Sequence, residues 1–269
     1  MSQLSSRRRF LEISATTAGK VAATGIVSLP ILASMSKRAK ADFWLVPPPG
    51  NPDPSGDNHC FLRGTRIQTP DGEIPVEDLM IGTLVETLNG PLPVKWIGRR
   101  SFRKDSSSWH WSVAPIRIAR FALSDEYPRR DLYVSPTHGL FIDGYLMSAE
   151  LLVNGKSITL SMDSCDGIDY FHIELESHEV VFAEGASAET FLVANDREDF
   201  ANFVEYERLY GGDAPAMKPF APILKYNGGR DELTRLARLA VSPLTGTRDP
   251  VQKARARLKA RAEALELTT

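Results

Sequence analysis

Cys60 stands where a proline-rich stretch, Pro47 to Pro54, gives way to a series of short apolar segments. A thiol at the first residue of a folded domain can turn back on the peptide bond before it, here His59–Cys60. The thiolate is a strong nucleophile even when only partly ionised. Its attack on the His59 carbonyl exchanges an amide for a thioester through a tetrahedral intermediate. The amide nitrogen leaves only if it is protonated in that step. His138, of a residue type that titrates near neutrality, is suited to deliver the proton. Ser135, three residues earlier, carries a hydroxyl that can hold the scissile amide or its oxyanion. The thioester then awaits water, a thiol, an amine or an alcohol. Plainer readings stay open for the same residues. Cys60 can be a buried structural thiol, or can pair with Cys165, the only other cysteine, in an oxidising compartment. Ser135-Pro136-Thr137-His138 can be a strand-to-turn element, and His178 a satisfied core histidine.

The elements that must position these groups read as β structure. Turn dipeptides recur at Asp71-Gly72, Asn89-Gly90, Asp143-Gly144 and Asn154-Gly155, each between short apolar runs. They supply the positive φ angles that tight hairpins require. Leu84–Thr87 and Val94–Ile97 are expected to pair around Asn89-Gly90, and Asp131–Val134 and Leu140–Ile142 to bracket another turn. The alternation from Phe171 to Glu176 predicts a half-buried strand. Ser101 to Trp111 is polar and reads as a loop, in which His110 has no assigned role. The period becomes helical after Asn195. One helix is expected from Asn195 or Asp196, with Phe200, Phe203, Val204 and Tyr210 on one face, and a second from Asp231. A third starts at Asp249-Pro250, a capping carboxylate before a first-turn proline, with Ala254, Leu258, Ala262 and Leu265 as its apolar stripe. Its basic run, Lys253 to Arg261, is read as a solvated helix face.

Residues 1–41 carry a different signal. Ser6-Arg7-Arg8-Arg9-Phe10-Leu11 has the paired-arginine pattern of a twin-arginine export signal, and Ala39-Lys40-Ala41 offers a small-x-small cleavage site. Lys20 and several polar residues make the intervening stretch a poor spanning helix. The expected address is therefore export to the periplasm or the exterior, with no stable membrane span after cleavage. The whole chain has 32 basic and 34 acidic residues. Removing the seven basic and one acidic residue of 1–41 leaves 25 against 33, a net charge of −8. That balance speaks against a nucleic-acid partner. Residues 42–59 then form a proline-rich linker. Neither a cofactor nor a metal ion is expected.

The β region carries a family resemblance. Cys60-Phe61-x-x-Gly64-Thr65-x-Ile67-x-Thr69-Pro70-Asp71-Gly72, followed by Pro75-Val76-Glu77-Asp78-Leu79-x-x-Gly82-x-x-Val85-x-Thr87-x-x-Gly90, resembles the opening of the Hint domain shared by Hedgehog C-terminal domains and inteins. Val134-Ser135-Pro136-Thr137-His138 resembles that family's Thr-x-x-His block, with Ser135 in place of threonine. Tyr170 to Gly185 resembles its late block, with His178 where the family has a histidine and His172 where it often has aspartate. The resemblance implies an all-β, horseshoe-like array of hairpins over residues 60–195, followed here by a small helical region, 196–269. It also implies a self-processing module whose substrate is the chain's own linker. Leu192-Val193-Ala194-Asn195-Asp196 has Ala194 in place of the intein histidine and Asp196 in place of the final nucleophile, so splicing is not expected. Three readings follow: cysteine-dependent autoproteolysis at His59–Cys60 through Cys60, Ser135, His138 and His178; an exported, non-catalytic scaffold for binding or assembly; and a cysteine hydrolase acting in trans.

Overall fold

The computed structural model describes residues 59–104, 108–161, 166–192, 197–211, 216–225 and 249–267. The expected export signal, the linker up to Asn58, Cys165, Val193 to Asp196 and the helix expected from Asp231 lie outside the described residues.

Turn chemistry divides the described chain into short strands. Pro70-Asp71 joins β2 (Arg66–Thr69) to β3 (Gly72–Pro75). Asp143-Gly144, with φ of 51° and 85°, joins β9 (Gly139–Ile142) to β10 (Tyr145–Ser148). Positive φ at both central residues suits the twist of the flanking strands. Glu184-Gly185, with φ of 50° and 82°, turns β13 (Val180–Ala183) into β14 (Ala186–Glu189) in the same way. Glutamate is unusual there. Its carboxylate offsets the strain by accepting the Arg66 N–H at 2.8 Å and Arg130 Nε at 2.6 Å.

Three local expectations are corrected. Strand β4 (Leu84–Thr87) returns into β5 (Gly90–Pro93), not into Val94–Ile97. Pro91 and Pro93 cannot donate to a ladder, which confines β5 to an edge, paired with β4 alone. Trp96 and Ile97 instead open β6 (Trp96–Arg103), so Ser101–Arg103 is strand rather than loop. Finally, β12 (Gly167–Glu174), which pairs with β6 over its whole length, is not half-buried. Tyr170 through Leu175 are all buried, because Ile168 and Tyr170 enter one apolar cluster while Phe171 and Ile173 enter another.

Two sheets result. One has the order β11 (Ile158–Leu160), β7 (Ile116–Ile118), β8 (Leu132–Val134), β1 (Phe61–Leu62), β12, β6. The other has the order β15 (Ile223–Leu224), β10, β9, β14, β13, β2, β3, with β4 also joined to β13. Phe61, Leu132 and Ile173 from the first sheet share a core with Ile67, Leu140 and Val181 from the second. Strands β8 and β9 lie in different sheets. Ser135 to His138 is therefore the crossing between sheets, not the turn of a hairpin.

The C-terminal segments brace this frame. A 3-10 turn at Arg197–Asp199 precedes α1 (Phe203–Tyr210), a later and shorter helix than expected. Phe200 and Tyr206 turn inward, whereas Val204 is 74% exposed, so the expected face is rotated. Asn202 sets that rotation by bonding the Ile97 carbonyl and the Arg99 N–H of β6. Gly98 makes room for Phe200, since a Cβ there would lie 2.6 Å from the ring. Helix α2 (Pro250–Glu266) starts under the Asp249 cap, which accepts Val251 N–H at 3.0 Å, and buries Ala254, Leu258 and Ala262. Its basic face is partly docked rather than solvated. Arg257 reaches Asp143 at 2.7 Å, and Arg261 bonds the carbonyls of Phe121 and Ser124. The architecture is mostly β, with two α-helices among the described residues.

Candidate functional site

Cys60 precedes β1, between β8 and β12 of the first sheet. Ser135 follows β8 directly, and the two residues bond twice. The Cys60 N–H donates to Ser135 Oγ at 2.8 Å, and the Ser135 N–H donates to the Cys60 carbonyl at 2.9 Å. The hydroxyl thus holds the amine side of the His59–Cys60 bond. Both residues are buried, Cys60 beside an aromatic cluster that includes Trp96, Tyr170 and Phe191.

His138 closes the same crossing, its N–H donating to the Ser135 carbonyl at 3.1 Å. The ring is fully buried and packs on Phe61, with ring centroids 4.4 Å apart. Burial pushes its pKa down to about 4. Glu189 opposes that shift, the charge of His59 adds to it, and the backbone of His59 opposes it again. The influence of the His59 backbone on the ring places His138 close to the residue that precedes Cys60. Neither ring nitrogen completes a hydrogen bond among the described residues, so this contact is looser than one. The expectation of a near-neutral His138 is corrected: desolvation keeps the ring uncharged at neutral pH.

His178 lies between β12 and β13. Its Nδ1 accepts the Phe220 N–H at 3.0 Å, so a neutral ring carries its proton on Nε2. That nitrogen faces Glu189 Oε2 at 3.5 Å. His178 thus reaches the site through Glu189. His172, on β12, packs near His59, His138 and Phe191, with centroid separations of 6.4, 5.8 and 5.1 Å. Burial, and then the charges of His138 and His59, hold its pKa well below the ordinary value. Among the described residues, no group of three His, Cys, Asp or Glu side chains is arranged to hold a metal ion.

Glu189 is the residue that sequence reasoning missed. It ends β14, is 3% exposed, and its Oε1 accepts both the Gly139 N–H at 2.6 Å and His59 Nδ1 at 2.8 Å. Burial raises its pKa, but the charge of His59, the facing His178 ring and the hydrogen bond from His59 outweigh that and hold it well below the usual carboxylate range. No local pattern marks it, because its partners lie 50 and 130 residues away. The His110 ring bonds the Ser112 hydroxyl at 2.7 Å, outside this cluster.

The arrangement places together a buried thiol-bearing residue, a hydroxyl on its amide, a neutral imidazole near the preceding residue and a carboxylate on the preceding side chain. No curated protein matches the chain significantly. Among solved structures, the gp41-1 intein is similar at 15% identity, with 48% of this chain and 96% of that one covered and a TM-score of 0.36. The bacterial intein-like domain from Clostridium thermocellum matches at 12% identity, covering 49% and 98%, with a TM-score of 0.37. The MchDnaB-1 intein matches at 13% identity, covering 49% and 99%, with a TM-score of 0.33. Residues 59–195, just over half of the 269, match the Hint domain, and the chain belongs to that family.

Proposed function

We propose that this Hint domain processes its own chain by an N-to-S acyl shift at His59–Cys60, without splicing. The observation that carries the reading is the hydrogen bond from the Cys60 N–H to Ser135 Oγ at 2.8 Å, which holds the nitrogen of the His59–Cys60 amide. The Cys60 sulfur attacks the His59 carbonyl carbon while its proton passes to the neutral His138 ring. The C–N bond breaks as that proton moves to the departing nitrogen. The product is a thioester between the His59 carbonyl and the Cys60 sulfur, with a new amine on Cys60. An external nucleophile resolves it and releases the segment ending at His59. Both proton transfers stay within the cluster, so a ring that is neutral in the resting state suffices.

A Cys60→Ala chain should not cleave. His138→Ala should cleave at least roughly a hundredfold more slowly, the size typical for lost acid–base assistance. Equal cleavage in either variant and in the parent chain would remove the basis of this reading. A second reading, a non-catalytic scaffold, is favoured by one observation: Cys60 is 1% exposed beside an aromatic cluster. The same burial weighs against a hydrolase acting on other molecules.

The reaction is proposed to serve an exported protein. The paired arginines Arg7 and Arg8 direct export, and Arg7→Lys with Arg8→Lys should retain the chain in the cytoplasm. Fractionation that finds the unaltered chain wholly cytoplasmic contradicts this. Among the described residues, no helix is long and apolar enough to cross a membrane.

A further inference from the structure

We propose that Glu189 reads the residue before Cys60, making the site selective for histidine at position 59. This rests on the acyl-shift reading and names the feature of the substrate segment that the site accepts. The bond is held on both sides. Ser135 Oγ grips the amine side through the Cys60 N–H, and Glu189 Oε1 grips the acyl side through His59 Nδ1 at 2.8 Å. Glu189 is itself bound to the crossing that carries Ser135 and His138, because Oε1 also accepts the Gly139 N–H at 2.6 Å. Both clamps therefore belong to one rigid corner, Ser135 to Gly139. His59 is the more exposed partner, with a side chain 22% accessible against 4% for Glu189.

Selectivity follows from the burial of Glu189. A buried carboxylate is stable only when donors surround it. With leucine or alanine at position 59, Oε1 keeps the Gly139 N–H, and Oε2 faces His178 Nε2 only at 3.5 Å. The unmet acceptor then works against seating that segment, and the acyl side loses its second anchor. Asparagine can present a donor near the place of Nδ1, whereas the longer glutamine places its amide further out. Glu189 does not touch the breaking bond. It acts through His59 and is a positioning residue.

The test compares cleavage rates in hydroxylamine for full-length chains carrying His59, His59→Asn, His59→Gln, His59→Leu, Glu189→Leu and the double variant His59→Leu/Glu189→Leu. The parent chain should be fastest. His59→Leu and Glu189→Leu should each be roughly ten- to a hundredfold slower, as for loss of a charged hydrogen bond. His59→Asn should recover more than His59→Gln. The double variant should exceed both single variants, because an apolar residue then meets an apolar one, an outcome that a general structural weakening cannot produce. A parent chain that cleaves no faster than His59→Leu, or a double variant as slow as the product of the single effects, overturns the selectivity while leaving the acyl shift standing. If no chain cleaves, the acyl-shift reading fails. Thermal unfolding of the same chains then decides the pairing itself: additive effects of the two leucine substitutions overturn it, and a non-additive recovery in the double variant supports it.

Discussion

Ser135 holds Cys60 by both its main chain and its side chain, and the side-chain bond, 2.8 Å from Cys60 N to Ser135 Oγ, falls on the nitrogen that leaves in the proposed acyl shift. A hydroxyl, unlike a carboxylate, can accept this N–H and donate elsewhere as the nitrogen gains its proton.

Ser135→Ala should therefore cost stability and rate together. The buried N–H loses its acceptor, worth about 1–3 kcal/mol of folding stability, and cleavage should slow at least tenfold. Ser135→Thr keeps the acceptor and should recover most of the rate, with some loss of stability because the site is fully buried. Denaturant unfolding and cleavage kinetics on the three chains check this. Equal rates for Ala and Thr contradict it.

Gly139 is a steric requirement rather than a conformational one. A Cβ there would lie 2.7 Å from the Glu189 carboxyl carbon. Gly139→Ala should displace Glu189, break its bond to the Gly139 N–H and loosen His59. The expected result is slower cleavage with the sheets intact, seen as unchanged far-UV circular dichroism. Parent-like cleavage in Gly139→Ala would show that the carboxylate is dispensable.

Acid should destabilise the fold before it protonates most surface carboxylates. His138 has a folded pKa of about 4 against an ordinary 6.5. The unfolded chain therefore binds more protons between those values, and stability rises with pH across that window. His138 alone contributes about 3 kcal/mol, fully present above about 6.5 and lost as pH falls towards 4. His172 acts in the same direction. Glu189, whose folded pKa is depressed, adds stability that disappears only below the ordinary carboxylate range. Chemical denaturation at pH 7, 5.5 and 4.5 should show a steady fall, and His138→Phe should make it shallower, leaving the part due to His172. A flat profile in the parent chain would contradict the buried neutral imidazole.

The fold was legible where local chemistry decides. Asp143-Gly144 marked its hairpin and Asp249-Pro250 marked the start of α2 because φ preferences and capping act within a few residues. The pairing partner of β4 was not legible, since Pro91 and Pro93 permit an edge strand while Trp96 and Ile97 are claimed by Glu174 and Ile173 of β12, 78 and 76 residues on. Burial of His172 and Glu174 was hidden for a similar reason. Their strand alternates apolar and polar, but Arg197 reaches Glu174 with two bonds, of 2.9 and 2.7 Å, and closes that face. The site divides in the same way. Cys60, Ser135 and His138 stand in recognisable blocks. Glu189 has no such signature, and the depressed pKa of His138 depends on packing that no spacing reveals.

The most direct measurement is the intact mass of the purified chain before and after incubation with hydroxylamine, which attacks a thioester faster than water does. An acyl shift at His59–Cys60 predicts a new species beginning at Cys60, its partner ending at a His59 hydroxamate, and neither product in Cys60→Ala. Retention of full mass through prolonged incubation, in protein whose Cys60 is alkylated as a thiol after unfolding, would contradict the account.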